Sequence, residues 1–426
     1  MCSSRTWTGH LSISIGEMDS MKNLEIYIHT PFCVKKCEYC DFLSFPADDA
    51  TQLRYVKGLM AEMIFYGPLM RDYQVSTVYI GGGTPSWLNE EWTAALMEGI
   101  FECFNVAEDA EISIECNPGT LSRDKLLCYR DAGINRLSIG LQSANADELK
   151  LLGRIHTFEQ FVTNYEVARN VGFKNINVDL MYGLPQQKKE HYLKTVNKIT
   201  RLQPDHISAY SLIVEKGTPF YEKYKFDMVR QEAGMRTEFL PNEDELYDME
   251  MAGREVLKEA GYRQYEISNY AKKGMECRHN IGYWTRENYL GLGIGAASLI
   301  ENVRYTNTLD IDDYLSGCRN IHDVGEEIFK SNLHVSADVI DKKGQMEEFM
   351  FLGLRMNEGV TRENFEKAFG ISIDAIYKDT MDSLKSQELL VAKGGHIYLS
   401  ERGRDVANYV MAQFLMGSQN KKACYT

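Results

Sequence analysis

The sequence of 426 residues lacks any hydrophobic run that approaches the about 20 apolar residues of a membrane-spanning helix. Residues 1–20 are polar and mixed, and they lack the apolar core of a secretory signal peptide. We therefore expect no integral membrane segment. We expect residues 1–20 to form a disordered N-terminal extension or to reflect a misassigned start, because Met18 and Met21 are alternative first residues.

Positive charge is also scarce. Lysine and arginine together number 47 against 61 aspartates and glutamates, which gives a net charge of −14. Nonspecific binding to nucleic acid requires a basic surface, so we expect no nucleic-acid partner. The hydrophobic content of 44% and the charged content of 25% are typical of a soluble globular protein. The length favours two or three domains, or one large α/β domain with additions.

A disulfide-like spacing is absent from the ten cysteines. Outside one triplet they are scattered along a chain that shows no secretory signal. Such usage is typical of reduced thiols, and the expected location is therefore the cytoplasm.

The triplet consists of Cys33, Cys37 and Cys40, at C-x3-C-x2-C spacing. It follows the β-prone run 26–29 and Pro31, so the thiols are expected on a loop that leaves a strand. Three thiolates on one loop can hold a soft metal centre. A [4Fe–4S] cluster normally takes four thiolates, so three would leave one iron with an open position. The alternatives are buried free cysteines or a zinc site, although zinc knuckles usually pair two C-x2-C elements and no second pair lies nearby.

Six β-prone segments alternate with helical patterns between residues 24 and 210. Such alternation predicts a parallel sheet with right-handed crossovers. Glycine-rich and polar residues follow the strands, at the edge that carries the site in α/β folds. In the segment Gly-Gly-Gly-Thr-Pro at 81–85, glycines let the backbone approach a ligand and free its N–H groups for polar atoms. The predicted strands are 24–29, 76–80, 111–115, 136–140, 174–180 and 206–210.

From about residue 346 the pattern changes to helices followed by a hairpin, which predicts a winged-helix-like α+β module. Thr361 can cap a short helix that Gly370 ends. A closing helix after the hairpin is expected to bury Val406 and Tyr409. Such modules often bind DNA, but nearby acidic residues favour packing or partner contact. A regulatory protein that uses this module is therefore the weaker rival.

The cysteine triplet and the Gly-Gly-Gly-Thr-Pro segment resemble the signature of the radical S-adenosylmethionine (SAM) superfamily. From Leu24 into the C-terminal module, the chain is similar to the oxygen-independent coproporphyrinogen III oxidase family. This resemblance implies an α/β fold, namely a partial (β/α)6 radical SAM barrel with the winged-helix-like module. It also implies a [4Fe–4S] cluster and SAM as cofactors. By resemblance, the cluster would be held by Cys33, Cys37 and Cys40, and SAM by Tyr27, Gly83, Thr84, Glu115, Gln142, Arg154 and Asp179.

Two features resemble the heme-chaperone branch of that family more than its oxidase branch. The oxidases carry a further cysteine two places after the third cluster cysteine, where this chain has Phe42. Residues 277–284, Cys-Arg-His-Asn-Ile-Gly-Tyr-Trp, are similar to the H-N-x-x-W/Y-W motif of the chaperones. His279 is the candidate axial ligand because neutral imidazole binds heme iron well. Trp284 is a candidate contact to the macrocycle, and Cys277 is a candidate second ligand.

The resemblance thus implies heme as a third cofactor and a heme-acceptor protein as partner, and it leaves a homodimer open. The rival function is a SAM-dependent porphyrinogen oxidase that decarboxylates coproporphyrinogen, so enzymatic activity stays undecided by sequence. The expected domain bounds are an extension at 1–20, the barrel at 21–215, a family-specific extension at 216–335 and the C-terminal module at 336–426.

Overall fold

The computed structural model describes residues 21–321 and 331–417. The predicted disordered extension at 1–20 lies outside these residues. Among the described helices, none is both long and apolar enough to cross a membrane.

The predicted alternation of strands and helices is confirmed. The first six strands pair in chain order, and all five pairings are parallel. Helices form between them where the sequence supplies caps, as at Ser122, whose side chain accepts a hydrogen bond from the backbone N–H of Lys125. The elements are β1 Lys22–Thr30, α1 Asp49–Tyr66, β2 Tyr73–Gly82, α2 Glu90–Cys103, β3 Val106–Cys116, α3 Arg123–Asp131, β4 Arg136–Gln142, α4 Ala146–Leu151, α5 Phe158–Val171, β5 Asn175–Tyr182, α6 Lys189–Leu202 and β6 His206–Ser211.

Side chains on these strands alternate between two different environments. On β1, Ile26 and Ile28 are fully buried in the main hydrophobic core with residues of α1. The alternate residues Glu25, Tyr27 and His29 are polar and face the other side of the sheet. The same alternation recurs on β2 to β6, so the inner face of the sheet is lined with polar side chains.

Further strands extend the sheet at both ends. Strand β9 pairs parallel to β1, and β10 to β12 continue antiparallel, while β8 and β7 follow β6. Within the described residues the order runs from β12 to β7 without closing into a barrel. The added elements are α7 Pro219–Glu232, α8 Glu243–Glu259, β7 Arg263–Gln264, β8 Asn269–Ala271, α9 Arg278–Thr285, β9 Tyr289–Leu292, β10 Ala297–Ile300, β11 Val303–Asn307, α10 Ile311–Arg319 and β12 His334–Val339.

The C-terminal module has the predicted order of helices and hairpin, with a three-stranded sheet β13-β15-β14 and its own hydrophobic core. Thr361 caps α12, and Gly370 follows it with a φ of 68°. The prediction of one continuous closing helix is wrong, because the helix breaks at Val406. Val406 and Tyr409 stay 43% and 38% exposed. The elements are α11 Lys342–Gly353, β13 Val360–Thr361, α12 Arg362–Phe369, α13 Ile373–Ser386, β14 Leu390–Lys393, β15 His396–Leu399, α14 Glu401–Asp405 and α15 Ala407–Ala412.

The module is joined to the sheet by a shared carboxylate. Glu348 on α11 accepts hydrogen bonds from Arg286 Nε at 2.6 Å and from Arg304 Nη1 at 2.8 Å. Arg286 follows α9 and precedes β9, and Arg304 lies on β11, so α11 is fastened to the extension strands. The four domain bounds expected from the sequence stay a prediction.

Candidate cofactor site

The three cysteines of the triplet lie together at the mouth of a cavity of about 500 Å³. Cys33 is buried and accepts a hydrogen bond from Thr84 Oγ1 at 3.4 Å. Cys37 accepts one from Arg154 Nη1 at 3.7 Å. Burial raises the pKa of the Cys33 and Cys40 thiols. Among the described residues no group of three His, Cys, Asp or Glu side chains converges as it would around a metal ion.

The glycine turn after β2 packs directly on the cysteine loop. A Cβ atom at Gly83 would lie 2.8 Å from the Phe32 carbonyl oxygen and 3.0 Å from Cys33 Sγ, so only glycine fits there. The backbone N–H groups of Gly83 and Thr84 donate to carbonyl oxygens of Thr30 and Phe32, each at 2.8 Å. The turn therefore uses these N–H groups to hold the cysteine loop, whereas the sequence had suggested that they were free for a ligand.

Two half-buried carboxyl groups, those of Glu115 and Asp179, lie inside the cavity. Glu115 accepts hydrogen bonds from Tyr79 OH at 3.0 Å and from the Gly82 N–H at 3.1 Å. Burial and the nearby Asp179 raise the pKa of Glu115 to about 7. Asp179 accepts a hydrogen bond from Asn177 Nδ2 at 2.7 Å, and burial raises its pKa as well. Both carboxyl groups line the cavity, so they can accept hydrogen bonds from hydroxyl or ammonium groups of a ligand.

Gln142 and Arg154 meet at the end of β4. Gln142 follows a register shift in the pairing of β4 with β5 and has a φ of 71°. Its side-chain oxygen accepts a hydrogen bond from Tyr210 OH at 2.8 Å. Arg154 donates to the carbonyl oxygen of Gly140, and its buried Nε has no protein partner. Both side chains line the cavity, so they lie within reach of a ligand there.

Sequence reasoning missed several polar residues of the same cavity, among them Arg136 and Asn177. Arg136 is 2% exposed, and its buried Nε is also unpaired. These residues occupy inward positions of predicted strands. The alternation of polar with apolar residues in each strand is the signal that could have found them. The remaining unpredicted lining includes Tyr79, Asn117, Ser138, Ser208, Tyr210, Asn269 and Asn280.

Tyr27 takes a supporting position. It is absent from the cavity lining among the described residues, and its ring stacks on Tyr79 with 6.4 Å between the centroids. Its hydroxyl lies 3.0 Å from His29 Nδ1. Tyr27 therefore packs behind a residue that reaches the cavity.

His279 lies on α9, which covers the inner face of β1 to β3. Its ring is 1% exposed and stacks on Tyr79 at 5.1 Å. Nδ1 lies 2.7 Å from Thr77 Oγ1, and Nε2 lies 3.2 Å from Tyr283 OH. Burial and the charge of Arg136 lower the pKa of His279 to about 3, so the imidazole is neutral. Both ring nitrogens are thus engaged by protein groups in this conformation.

The rest of α9 is anchored at both of its ends. At its start, Glu111 accepts hydrogen bonds from the N–H groups of Arg278 and His279 at 3.2 and 3.3 Å, and one from the Cys277 thiol at 3.5 Å. Near its end, the Trp284 ring lies 4.3 Å from the guanidinium carbon of Arg355. The structure brings the cysteines and six of the seven predicted SAM residues to one cavity, and it places His279 and Trp284 outside that cavity.

An open parallel sheet, a three-cysteine loop after its first strand and a glycine turn after its second define a protein of the radical SAM class. Residues 27–199 match the model of the Radical SAM superfamily, and residues 340–406 match that of the HemN C-terminal domain.

Similar proteins identify the branch within that class. The heme chaperone HemW of Bacillus subtilis is 36% identical over 393 residues, which cover 91% of this chain and 98% of the relative. HemW of Escherichia coli is 34% identical over 409 residues, which cover 93% and 100%. The chain belongs to the heme chaperone HemW family. The solved structure of coproporphyrinogen III oxidase (HemN) from Escherichia coli matches 93% of this chain and 91% of its own, with a TM-score of 0.79. The sequence identity is 23%, so this match concerns the fold alone.

Proposed function

We propose that this protein is a heme chaperone that binds a [4Fe–4S] cluster, SAM and heme and passes heme to an acceptor protein. The cluster would be held by Cys33, Cys37 and Cys40. Its open iron would supply a coordination position for SAM. The fit of the site supports this, because the three thiols border a cavity that is also lined by Glu115, Asp179 and Arg154.

Each polar group of the cavity has a proposed task toward SAM. Glu115 and Asp179 accept hydrogen bonds from hydroxyl or ammonium groups, and Arg154 donates to a carboxylate. Gln142 contributes its amide nitrogen, since its oxygen is already bonded to Tyr210. Gly83 and Thr84 set the floor beside Cys33, and Tyr27 supports this layer through Tyr79.

The residue at position 42 distinguishes the chaperone function from the oxidase function. The oxidases have a cysteine there, and this chain has a phenylalanine that is 62% exposed at the cavity mouth. Membership of the HemW family supports the same choice. Coproporphyrinogen decarboxylation is therefore the rival activity.

For His279 and Trp284 we propose a role in holding heme that requires α9 to move. Ligation through Nε2 would break the contact with Tyr283, and ligation through Nδ1 would break the contact with Thr77. Trp284 would have to leave Arg355 to lie against a macrocycle. Cys277 as a second ligand would have to leave Glu111.

The partners of the proposed function are heme and a heme-acceptor protein. We place the function in the cytoplasm because the eight described cysteines are all free thiols. The homodimer and the lack of a nucleic-acid partner stay predictions.

The test is a heme titration of the full chain followed by transfer. We expect a Soret band that saturates at a fixed stoichiometry and moves to apomyoglobin, used as a general acceptor, on mixing. His279→Ala should weaken binding if the imidazole is the axial ligand, whereas an unchanged spectrum and affinity would remove His279 from the site. Failure of the wild-type chain to bind heme would refute the proposed function.

A further inference from the structure

We infer that the rim of the cofactor cavity is a docking surface for heme, and that it recognises both the apolar macrocycle and its carboxylates. The rim consists of the apolar side chains of Val34, Phe42, Ile155 and Ile213, with the two lysines Lys35 and Lys36. The inference rests on the proposed function, because it names where the proposed ligand binds.

The apolar members of the rim are all exposed to solvent. Ile213 is 67% exposed and Phe42 is 62% exposed, and both line the main cavity. Val34 and Ile155 are 39% and 41% exposed, and they line a small recess beside it. The recess and the cavity share the lining residues Lys35, Cys37, Thr84 and Asn117, so the two adjoin. Apolar groups clustered at an opening are typical of ligand-binding surfaces, unlike scattered single ones.

The interior of the cavity suits a different ligand. Its depth is lined by carboxyl, amide and hydroxyl groups, including Glu115, Gln142 and Asp179. An apolar macrocycle placed there would leave these groups without partners, and its own carboxylates would meet Glu115 and Asp179. We therefore assign the polar interior of the cavity to the polar cofactor and the apolar rim to heme.

The lysines supply charge of the sign that heme requires. Lys36 Nζ donates to the Phe42 carbonyl oxygen at 2.9 Å, which holds an ammonium group at the backbone of an exposed apolar residue of the rim. The side chain of Lys35 is 63% exposed and lies 3.6 Å from Glu38. Because Lys35 pairs with Glu38, and because Asp41 and Glu215 also line the cavity, the complement to a heme carboxylate is Lys36, whose ammonium group contacts a carbonyl oxygen and not a carboxylate.

A heme site at the rim also agrees with the resting position of α9. His279 is buried with both ring nitrogens engaged, so a heme that meets the resting structure reaches the rim and not the imidazole. A ligand held at an open mouth is accessible to an acceptor protein. The rim therefore explains docking and release without a prior movement of α9.

The test compares two matched double variants of the full chain with reconstituted cluster. Phe42→Ser/Ile213→Ser removes the exposed apolar pair of the rim. The control Phe226→Ser/Val229→Ser makes the same chemical change on α7, where the side chains are 73% and 62% exposed and lie outside the cavity lining of the described residues. Heme binding is followed by the Soret band, and iron content and SAM binding are measured for each variant.

We expect the rim variant to weaken heme binding by about tenfold or more, since it removes apolar contact area with the macrocycle. We expect the control to bind like the wild type. Equal affinity of the two variants would overturn the inference while leaving the proposed function intact, whereas a wild-type chain that binds no heme would overturn both. If Phe42→Ser disturbs the cluster, the heme affinities of the single variants Ile213→Ser and Val229→Ser are compared instead. Ile213 follows β6 and is remote in sequence from the cysteine loop, so its replacement tests the rim alone.

Discussion

The contact between Gly282 on α9 and Glu25 on β1 offers a quantitative test of how α9 is held. A Cβ atom at Gly282 would overlap the carboxyl group of Glu25, which is 2% exposed. Gly282 lies inside a helix, where alanine would ordinarily stabilise by about 1 kcal/mol relative to glycine. We therefore expect Gly282→Ala to destabilise the protein, although helix propensity alone predicts the opposite.

The expected magnitude follows from the surroundings of Glu25. Burial and the nearby Glu287 and Glu111 raise the pKa of Glu25 to about 9. The carboxyl group is therefore protonated at neutral pH, and its 3.8 Å approach to the neutral His279 is not an ion pair. Overpacking such a site costs about 1–3 kcal/mol. Glu25→Ala removes the overlapping group, so the double variant should recover most of that cost.

The assay is a double-mutant cycle on the cofactor-free protein by urea denaturation. We expect the free energy of unfolding of Glu25→Ala/Gly282→Ala to exceed the additive value by about 1–3 kcal/mol. The control cycle combines Glu25→Ala with Gly99→Ala in place of Gly282→Ala. Gly99 lies on α2, and a Cβ atom added there would meet only the flexible Met63 Sδ at 3.3 Å. That control should be additive within about 0.5 kcal/mol. Additivity in both cycles would refute the packing of α9 on β1.

Three further predictions concern the cysteine loop, the buried carboxyl group and the C-terminal module. Gly83→Ala should lower iron content after reconstitution, because its Cβ would lie 2.8 Å from a carbonyl oxygen of the cysteine loop, whereas Gly99→Ala should not; equal iron content would contradict this. The pKa of Glu115 is raised from 4.5 to about 7, so the stability that it contributes is present below pH 4.5 and is lost as pH rises through 7. Glu115→Gln should therefore reduce the fall in melting temperature of the cofactor-free protein across that range, and an unchanged pH profile would argue against the shift. Glu348→Ala should cost about 1–3 kcal/mol and speed proteolysis next to the C-terminal module, because two arginines lose a shared carboxylate, while the exposed Glu363→Ala should do neither.

The order of strands and helices could be predicted from the sequence because each strand is short, β-prone and followed by glycine or polar residues. The glycine turn at 81–85 is an example, since its sequence indicates both a strand end and a close approach. What the turn approaches could not be predicted. Its N–H groups bond to Thr30, Phe32 and Glu115, which are distant in sequence.

The surroundings of His279 could not be predicted from the sequence for a related reason. His279 belongs to a motif, and a motif indicates a role without indicating burial. Its partners Thr77 and Tyr79 are on β2, some 200 residues away, and only the fold brings them together. The extension strands β9 to β12 were also missed, because segments of four to six residues carry little periodicity.

The closing helix shows how packing overrides a helical pattern. A Cβ atom at Gly403 would overlap the carbonyl oxygen of Leu389, so α14 lies very close to the strand region before it. The helix is then interrupted at Val406, and α15 buries Ala407, Val410 and Met411 in the module core. The sequence pattern gave no sign of this break, since the apolar spacing continues through it.

We propose that the radical SAM site of this chain serves a heme carrier and not a porphyrinogen oxidase. The most direct measurement uses one anaerobic preparation with reconstituted cluster, SAM and a reductant, divided between heme and coproporphyrinogen. We predict saturable heme binding with transfer to apomyoglobin, and no decarboxylation of the propionate side chains of coproporphyrinogen. Decarboxylation at enzymatic rates, without saturable heme binding, would contradict the proposed heme-carrier function.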